Sequence, residues 1–373
     1  MKKNTCKIEV KTSSGFFGLN EFHFLSRSLL PVVMKNKDKQ YIFDFTNVEV
    51  WDVSILLWLI IGLNFYKQNG IVFSIRLPMS NPLMPEDDKI KFDKSADYLR
   101  RWKFDEGLKN ITSDIHSLLV PEQENYFDNG PLKYYLPSTK EILLEDGMTA
   151  NLVSRGLGPI ANLVDLSKSG QKKIENSKIT ECISAFEKSK IAHILYYKCN
   201  IPFLTAKNYV THLLAEALNN TLEHPNATIG LIAVSVLGAK NELILSVVDN
   251  GFSIPSTIYD VFLSNRKISN IDYDNLPKTY SKKNLKTNDI AVITDYATHP
   301  GVTSKKSGVG GYGLTYIKNG TEDFKGNFDI ITDSVRVEYN YKNEMNFDWI
   351  PYKNHWTGNM LRVSIPINVE NKN

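Results

Sequence analysis

The stretch Leu213-Leu-Ala-Glu-Ala-Leu-Asn-Asn-Thr-Leu-Glu-His224 indicates the fold of the second half of this chain. It lies in a predicted helix, and its polar residues Glu216, Asn220 and His224 recur every four positions, so they project from one helix face. Pro225 follows directly and places His224 at the C-terminal end of the helix. The same spacing is also typical of a solvated helix face, so by itself the motif is weak.

A second motif is the apolar stretch Leu243-Ile-Leu-Ser-Val-Val-Asp-Asn-Gly251, a predicted strand that runs into Asp249. A carboxylate at the end of such a strand costs several kcal/mol when nothing compensates it. Asp249 therefore needs a hydrogen-bond donor, and the exocyclic amine of an aminopurine would supply one. A plain Asn-Gly turn is the alternative.

A third motif is a glycine cluster, Gly301-Val-Thr-Ser-Lys-Lys-Ser-Gly-Val-Gly-Gly-Tyr-Gly-Leu314, that opens onto a predicted helix. Backbone N–H groups at a helix N-terminus attract anions, and Lys305 and Lys306 add positive charge. The cluster does not match a P-loop, because no Lys-Ser or Lys-Thr follows its last glycine, and it does not fit a Rossmann fingerprint. A flexible turn is the alternative.

Together, in this order and spacing, the three motifs resemble those of the GHKL superfamily (Bergerat fold, HATPase_c), which includes gyrase-type topoisomerases, chaperones, sensor histidine kinases and anti-sigma-factor kinases. The first motif is similar to the N box in the variant with a closing histidine found among anti-sigma-factor kinases. Residues 249–253 resemble the Asp-x-Gly-x-Gly box, and residues 301–314 resemble the end of the ATP lid with the second glycine box. The resemblance extends to Gly358–Pro366, which is similar to the closing strand of the domain.

This resemblance implies ATP and Mg²⁺ as cofactors. Asn220 would hold Mg²⁺, and Glu216 would be the general base that acts on the attacking water. Asp249 would accept a hydrogen bond from the adenine amine, and Gly251 would allow close approach of the backbone. The other ATP-binding residues implied are His224, Lys305, Gly308, Gly310, Gly311, Gly313 and Leu314.

Two residues depart from the family pattern. Ser253 replaces the second glycine of the Asp-x-Gly-x-Gly box, and Asn359 stands near a position where a threonine often helps to hold adenine. Both departures are expected to loosen nucleotide contact. The long polar segment from Ser264 to Ser307 would be the lid; it has eight Lys or Arg and four Asp, an excess of +4 that suits closure over a triphosphate. A solvated loop is the alternative.

The first eighty residues predict a βαβ unit. Tyr41–Phe45 and Ile71–Leu77 are predicted strands on either side of an apolar helix from Val53 to Tyr66, which implies a parallel pair of strands in a covered sheet. This arrangement resembles a STAS domain, in which a serine at the helix start is phosphorylated by a GHKL kinase. Ser54 occupies that place and is implied as a phosphoacceptor, although Ile55 stands where a glycine often follows. The alternative is that Asp52 or Ser54 simply caps the helix.

The composition describes a globular protein without a strong charge bias. Its 373 residues are 42% hydrophobic and 23% charged, which excludes a disordered or fibrous chain, and 44 Lys+Arg against 41 Asp+Glu does not indicate nucleic-acid binding. Three widely separated cysteines predict neither a disulfide framework nor a metal cluster and favour a reducing compartment. The most apolar run, Val53–Leu63, is about half as long as a membrane span, so we expect a cytoplasmic protein.

The expected fold class is α/β and α+β. A STAS-like α/β domain is expected at residues 1–80, and a connecting, mostly helical region at residues 81–178. A GHKL ATP-binding domain, a Bergerat-fold α/β sandwich, is expected at residues 179–370. The charged stretch Glu86–Lys94, which follows Pro82 and Pro85, is typical of a connection.

Three functions are compatible with these motifs. The first is a Mg-ATP-binding GHKL-type ATPase with a regulatory role, whose nucleotide state is coupled to the STAS-like domain or to a protein partner. The second is a serine protein kinase of the anti-sigma-factor, partner-switching type, with Ser54 or a serine of the partner as acceptor. The third is a non-catalytic nucleotide-sensing module, because Ser253 interrupts the glycine box. Members of this superfamily often dimerise, so a homodimer is also expected.

Overall fold

A computed structural model describes residues 5–12, 15–28, 30–80, 83–101, 104–128, 139–143, 149–153, 161–162, 192, 195–196, 201–223, 227–237, 241–264, 275–303, 311–352 and 358–367. The chain divides into two compact units, one formed by residues 1–162 and 233–237 and the other by residues 163–232 and 238–373. The domain boundaries expected at residues 80 and 178 stay a prediction. The chain is mixed α/β, with both parallel and antiparallel sheets.

The first unit contains short strands and helices that alternate along the chain. They are β1 (Thr5–Glu9), β2 (Phe16–Phe17), α1 (Leu19–Ser28), α2 (Leu30–Lys35), β3 (Gln40–Asp44), β4 (Val50–Trp51), α3 (Val53–Gln68), β5 (Val72–Arg76), α4 (Glu86–Arg101), α5 (Phe104–Leu108), β6 (Thr139–Leu143), β7 (Thr149–Val153) and β8 (Ala161–Asn162). Short 3₁₀ turns lie at His116–Leu118 and Pro121–Gln123.

The predicted βαβ unit is confirmed. Strands β1, β3 and β5 form a parallel sheet in the order β1-β3-β5, and α3 connects β3 to β5. Helix α3 is buried along most of its length, as expected for a helix that is apolar on every side. Asp52 caps it by accepting a hydrogen bond from the backbone N–H of Ser54 at 2.9 Å, so the capping role is observed.

The region after residue 80 differs from the expected connection. The Glu86–Lys94 stretch belongs to α4, whose first turn carries Glu86, Asp87 and Asp88 where the helix dipole favours acidic side chains. Further on, β6 and β7 pair antiparallel in a region expected to be mostly helical.

The second unit contains the longer elements. They are α6 (Phe203–Glu223), β9 (Gly230–Leu237), β10 (Glu242–Asp249), α7 (Ile254–Ser264), α8 (Thr287–Tyr296), α9 (Gly313–Asp323), β11 (Asn327–Thr332), β12 (Val335–Asn340), β13 (Phe347–Pro351) and β14 (Asn359–Pro366). Residues 233–237 of β9 are assigned to the first unit by the division above. A 3₁₀ turn at Tyr341–Asn343 follows β12. Helix α7 ends at Ser264, where the expected lid begins, and α8 falls within the stretch that was expected to be an irregular lid.

Six strands of this unit's sheet follow the order β13-β12-β11-β14-β10-β9. The pairs β10/β14, β11/β14, β11/β12 and β12/β13 are antiparallel. Helices α6, α8 and α9 pack on this sheet, so helices cover strands as in an α+β layer. None of the helices in the described ranges has both the length and the apolar character needed to span a membrane.

Candidate functional site

Helices α6 and α9 pack against each other through an aromatic contact that only glycine permits. A Cβ atom built on Gly320 would lie 2.1 Å from the ring of Tyr209, so the ring occupies the space that a side chain would take. Tyr209 also packs edge-on against Phe324 at 4.3 Å, and its hydroxyl hydrogen-bonds Thr321 at 2.9 Å. Burial raises the pKa of Tyr209, so its hydroxyl stays protonated.

This contact sets the position of Glu216. Glu216 follows Tyr209 by seven residues, about two helical turns, and Gly313 precedes Gly320 by the same interval. The antiparallel packing therefore brings Glu216 to the N-terminus of α9, where a Cβ atom on Gly313 would lie 2.5 Å from Glu216 Oε2. A carboxylate at this end of a helix is favoured by the helix dipole.

Asn220 lies one turn further along the same face of α6 and is half-buried. Because α6 and α9 are antiparallel and Glu216 is already level with the first residue of α9, Asn220 extends beyond the N-terminus of α9. A phosphate bound in front of that N-terminus would therefore lie within the space flanked by Glu216 and Asn220. His224 lies outside the described residues.

The backbone before α9 is closely folded. Gly301 N–H donates to Gly311 O at 3.1 Å, and Gly311 has φ +82°, a left-handed conformation that favours glycine. A Cβ atom on Gly311 would also lie 2.5 Å from Val302 O. Leu314 follows in the first turn of α9 and is half-buried. Lys305, Gly308 and Gly310 lie outside the described residues.

A second group of polar residues lies at the edge of the sheet where β10 and β11 end. The strand register places Asp249, Asn359 and Thr332 next to one another on β10, β14 and β11, and all three are buried. Asn359 Nδ2 donates to both carboxylate oxygens of Asp249, at 3.2 and 3.3 Å, and Gly251 N–H donates to Asp249 Oδ1 at 2.9 Å. The donors that the sequence requires for this carboxylate are thus present within the chain.

The carboxamide of Asn359 is held from its other side as well. Its Oδ1 accepts from the backbone N–H of Ile254 and from Thr332 Oγ1, both at 2.8 Å, and its Nδ2 also donates to Phe252 O at 2.9 Å. Asn359 therefore orients Asp249 rigidly, which the sequence analysis did not anticipate. Its contact with Asp249 follows from the register of β14 on β10, which the local sequence pattern does not give.

Asn250 and Gly358 are two further residues that the sequence analysis missed. Asn250 Oδ1 accepts from the backbone N–H groups of Thr228 and Ile229, each at 2.8 Å, which joins the end of β10 to the chain that follows α6. Gly358 has φ +126°, and a Cβ atom there would lie 2.1 Å from Asp249 O. Asparagine and glycine in turns are the sequence signals for both.

The two groups of residues share one edge of the unit. Only residues 324–326 connect α9 to β11, and α9 packs on β11 and β14, so α9 runs back across the sheet. Its N-terminus therefore lies toward the edge where β11 ends at Thr332, which is the edge of Asp249 and Asn359. Because α6 is antiparallel to α9, Glu216 lies toward the same edge.

Two further observations concern Ser54 and clusters of metal-ligating side chains. Ser54 lies in the first turn of α3 in the first unit and is 0% exposed. Among the residues that the structure describes, no group of three or more His, Cys, Asp or Glu side chains forms a metal cluster.

Comparison with models of known protein families gives no match, and no curated protein matches the chain.

Proposed function

We propose that the second unit is a Mg-ATP-binding ATPase of the GHKL type, with the Bergerat fold, and that it has a regulatory role. The observation that carries the proposal is the position of the Glu216 carboxylate against Gly313 at the N-terminus of α9. A helix N-terminus attracts phosphate, and a carboxylate beside that phosphate is suitably placed to accept a proton from an attacking water.

The nucleotide base is assigned to the edge that carries Asp249. This carboxylate is buried and is held in a fixed orientation by Asn359 and Gly251, and we assign the adenine amine to it as a hydrogen-bond donor. Recognition by a hydrogen-bonding group that is fixed in advance favours a base with an exocyclic amine at this position over one with a carbonyl.

Asn220 is the residue that would hold Mg²⁺. Mg²⁺ keeps several waters and usually takes one or two protein oxygens together with phosphate oxygens, so a single amide oxygen near the phosphates fits its preference. When bound, Mg²⁺ would neutralise charge on the phosphates. Glu216 would orient the water and accept its proton.

The first unit is proposed to be the STAS-like partner of this nucleotide site. Its parallel β1-β3-β5 sheet with α3 between β3 and β5 supports the assignment. Because Ser54 is 0% exposed, an active site cannot reach its hydroxyl unless the start of α3 opens. We therefore favour ATP hydrolysis over phosphotransfer to Ser54 as the function of the nucleotide site. In this proposal the nucleotide state is coupled to the first unit or to another protein.

A serine kinase that acts on a protein partner is the second candidate. Glu216 is only half-buried, so the hydroxyl of a partner's serine would be able to occupy the place of the attacking water. A nucleotide-sensing module without turnover is the third candidate.

The test incubates the purified chain with γ-labelled ATP and Mg²⁺ and follows label in free phosphate and on protein. We expect free phosphate, and we expect Glu216→Ala to reduce its release by about 10²–10⁴-fold, the usual contribution of a general base. Glu322→Ala, which removes an exposed carboxylate from α9, is the matched control and should retain wild-type turnover.

The other candidates give different results. Label on an added protein substrate instead of in free phosphate would favour the kinase, whereas ATP binding without label transfer would favour the sensing module. Asn220→Ala should abolish Mg²⁺-dependent binding or turnover, and undiminished turnover in that variant would refute the assignment.

A further inference from the structure

The described segment 275–286, between α7 and α8, is attached to the base-binding edge by a chain of side-chain hydrogen bonds. The hydroxyl of Tyr280 donates to the carboxylate of Asp333, and the hydroxyl of Ser253 lies within hydrogen-bonding reach of the same tyrosine. Lys282 Nζ lies 3.5 Å from Asp333 Oδ1. Both Ser253 and Asp333 are buried, so these contacts belong to the interior.

The tyrosine ring is fixed as well. It packs edge-on against Tyr259 with ring centroids 5.5 Å apart, and Tyr259 in turn donates its hydroxyl hydrogen to Pro277 O at 2.8 Å. Burial and the nearby Asp333 carboxylate raise the pKa of Tyr280 above its ordinary value. Its hydroxyl therefore remains a donor at neutral pH.

This chain and the Asp249 cluster use neighbouring residues. Ile254 and Thr332 contact Asn359, while the residues next to them in the sequence, Ser253 and Asp333, contact Tyr280. Two separate pieces of backbone thus each contribute one residue to the base-binding edge and the adjacent residue to the tyrosine. A change in the position of Tyr280 is transmitted to both pieces.

We infer that Tyr280 is a positioning residue of the nucleotide site, which latches segment 275–286 to the edge that binds the base and holds that edge in its binding-competent form. This inference rests on the proposed function. It also gives Ser253 a role, because the residue that departs from the glycine pattern supplies one of the two partners of Tyr280. A site that is organised before binding has a higher apparent affinity, because less ordering accompanies binding.

The test is titration calorimetry of Mg-ADP binding to the full chain and to Tyr280→Phe, which removes the hydroxyl and keeps the ring. We expect the Kd to rise about fivefold, the effect of one neutral hydrogen bond, with a stoichiometry that stays near one per chain. Tyr341→Phe, in the 3₁₀ turn after β12, is the matched control and should bind with the wild-type Kd.

The measured number of binding sites per chain distinguishes a positioning role of Tyr280 from a role in folding alone. A variant that only unfolds in part lowers the number of sites and leaves the Kd of the remaining sites unchanged, and that result would overturn the inference. A wild-type Kd in Tyr280→Phe would overturn it too, while leaving nucleotide binding intact. Absence of Mg-ADP binding by the wild-type chain would instead refute the proposed function, and the inference with it.

A double-mutant cycle adds an independent measurement. If Ser253 acts through Tyr280, Ser253→Ala should weaken binding, and the double variant should bind as Tyr280→Phe alone does. Additive losses of affinity from the two substitutions would show that Ser253 and Tyr280 act separately. That result would contradict the proposed action of Ser253 through Tyr280.

Discussion

Gly313→Ala tests whether the carboxylate of Glu216 lies where the proposed reaction needs it. A Cβ atom at residue 313 would lie 2.5 Å from Glu216 Oε2, whereas ordinary van der Waals contact begins near 3.4 Å. The carboxylate must therefore move by roughly 0.9 Å to accommodate one methyl group. Because Oε2 is the far end of a flexible side chain, the displacement falls on the carboxylate and not on the backbone.

The expected effect on catalysis is large, and the expected effect on folding is small. A misplacement of about 1 Å costs on the order of 100-fold in rate, so kcat should fall about 100-fold while the KM for Mg-ATP changes little. Gly313 has no positive φ and is the first residue of a helix, so its backbone conformation accepts alanine without strain. The thermal midpoint of Gly313→Ala should therefore equal or exceed that of the wild type.

The test measures steady-state phosphate release and thermal unfolding on the same preparations of the wild type and of Gly313→Ala. Gly320→Ala on the same helix is the contrasting variant, because its Cβ would lie 2.1 Å from a Tyr209 ring that is packed against Phe324. Overpacking there should destabilise the fold by about 1–3 kcal/mol. A Gly313→Ala protein that is stable and retains kcat within about threefold of the wild type refutes the proposed role of Glu216.

Two further substitutions examine the Asp249 cluster and the first unit. Asn359→Leu removes the amide that donates to both oxygens of Asp249, so Mg-ADP affinity by calorimetry should fall about tenfold or more, and an unchanged affinity would argue against base binding at this edge. Burial alone would raise the pKa of Asp44, but hydrogen bonds from Lys7 and Thr46 outweigh it and lower the pKa below its ordinary 3.8. The charged form therefore stabilises the fold above that pH and loses its effect as the pH falls through the lowered pKa. Urea unfolding should show Asp44→Asn less stable than wild type at pH 7, with a smaller difference at pH 3; a difference independent of pH would show that the charge is not responsible.

Periodicity in the sequence predicted the elements that bury a continuous apolar face. The predicted helix that carries Glu216 and Asn220 forms as Phe203–Glu223, and the closing strand expected within Gly358–Pro366 forms as Asn359–Pro366. Both bury enough apolar surface for local pattern and tertiary packing to favour the same structure. The same agreement holds for α3, which is apolar and buried along most of its length.

Helix α7 was missed although its signal is present. Ile254, Ile258 and Phe262 recur every four positions and are buried, which is the pattern of an amphipathic helix. The Asn-Gly turn before it and the charged segment after it are both typical of an irregular, polar stretch. A short helix between two polar stretches has too few turns for its periodicity to outweigh its surroundings.

The side-chain contacts of the site could not be predicted from local pattern. Asp249 and Asn359 are 110 positions apart and meet only because the register of β10 on β14 aligns them. Glu216 meets Gly313 only because two helices pack antiparallel around Tyr209. Motif spacing indicates which residues belong to a site, whereas strand register and helix packing determine which atoms touch.

This distinction bears on the sensing module, which is a candidate because Ser253 interrupts the glycine box. A side chain in place of a glycine argues against nucleotide binding only if it enters the space that the nucleotide needs. Ser253 is buried and directs its hydroxyl to Tyr280, and Asn359, the other departure, donates to Asp249. Both departures are therefore accommodated by hydrogen bonds that organise the edge. On these grounds the interrupted motif gives no reason to prefer a module without turnover over an ATPase.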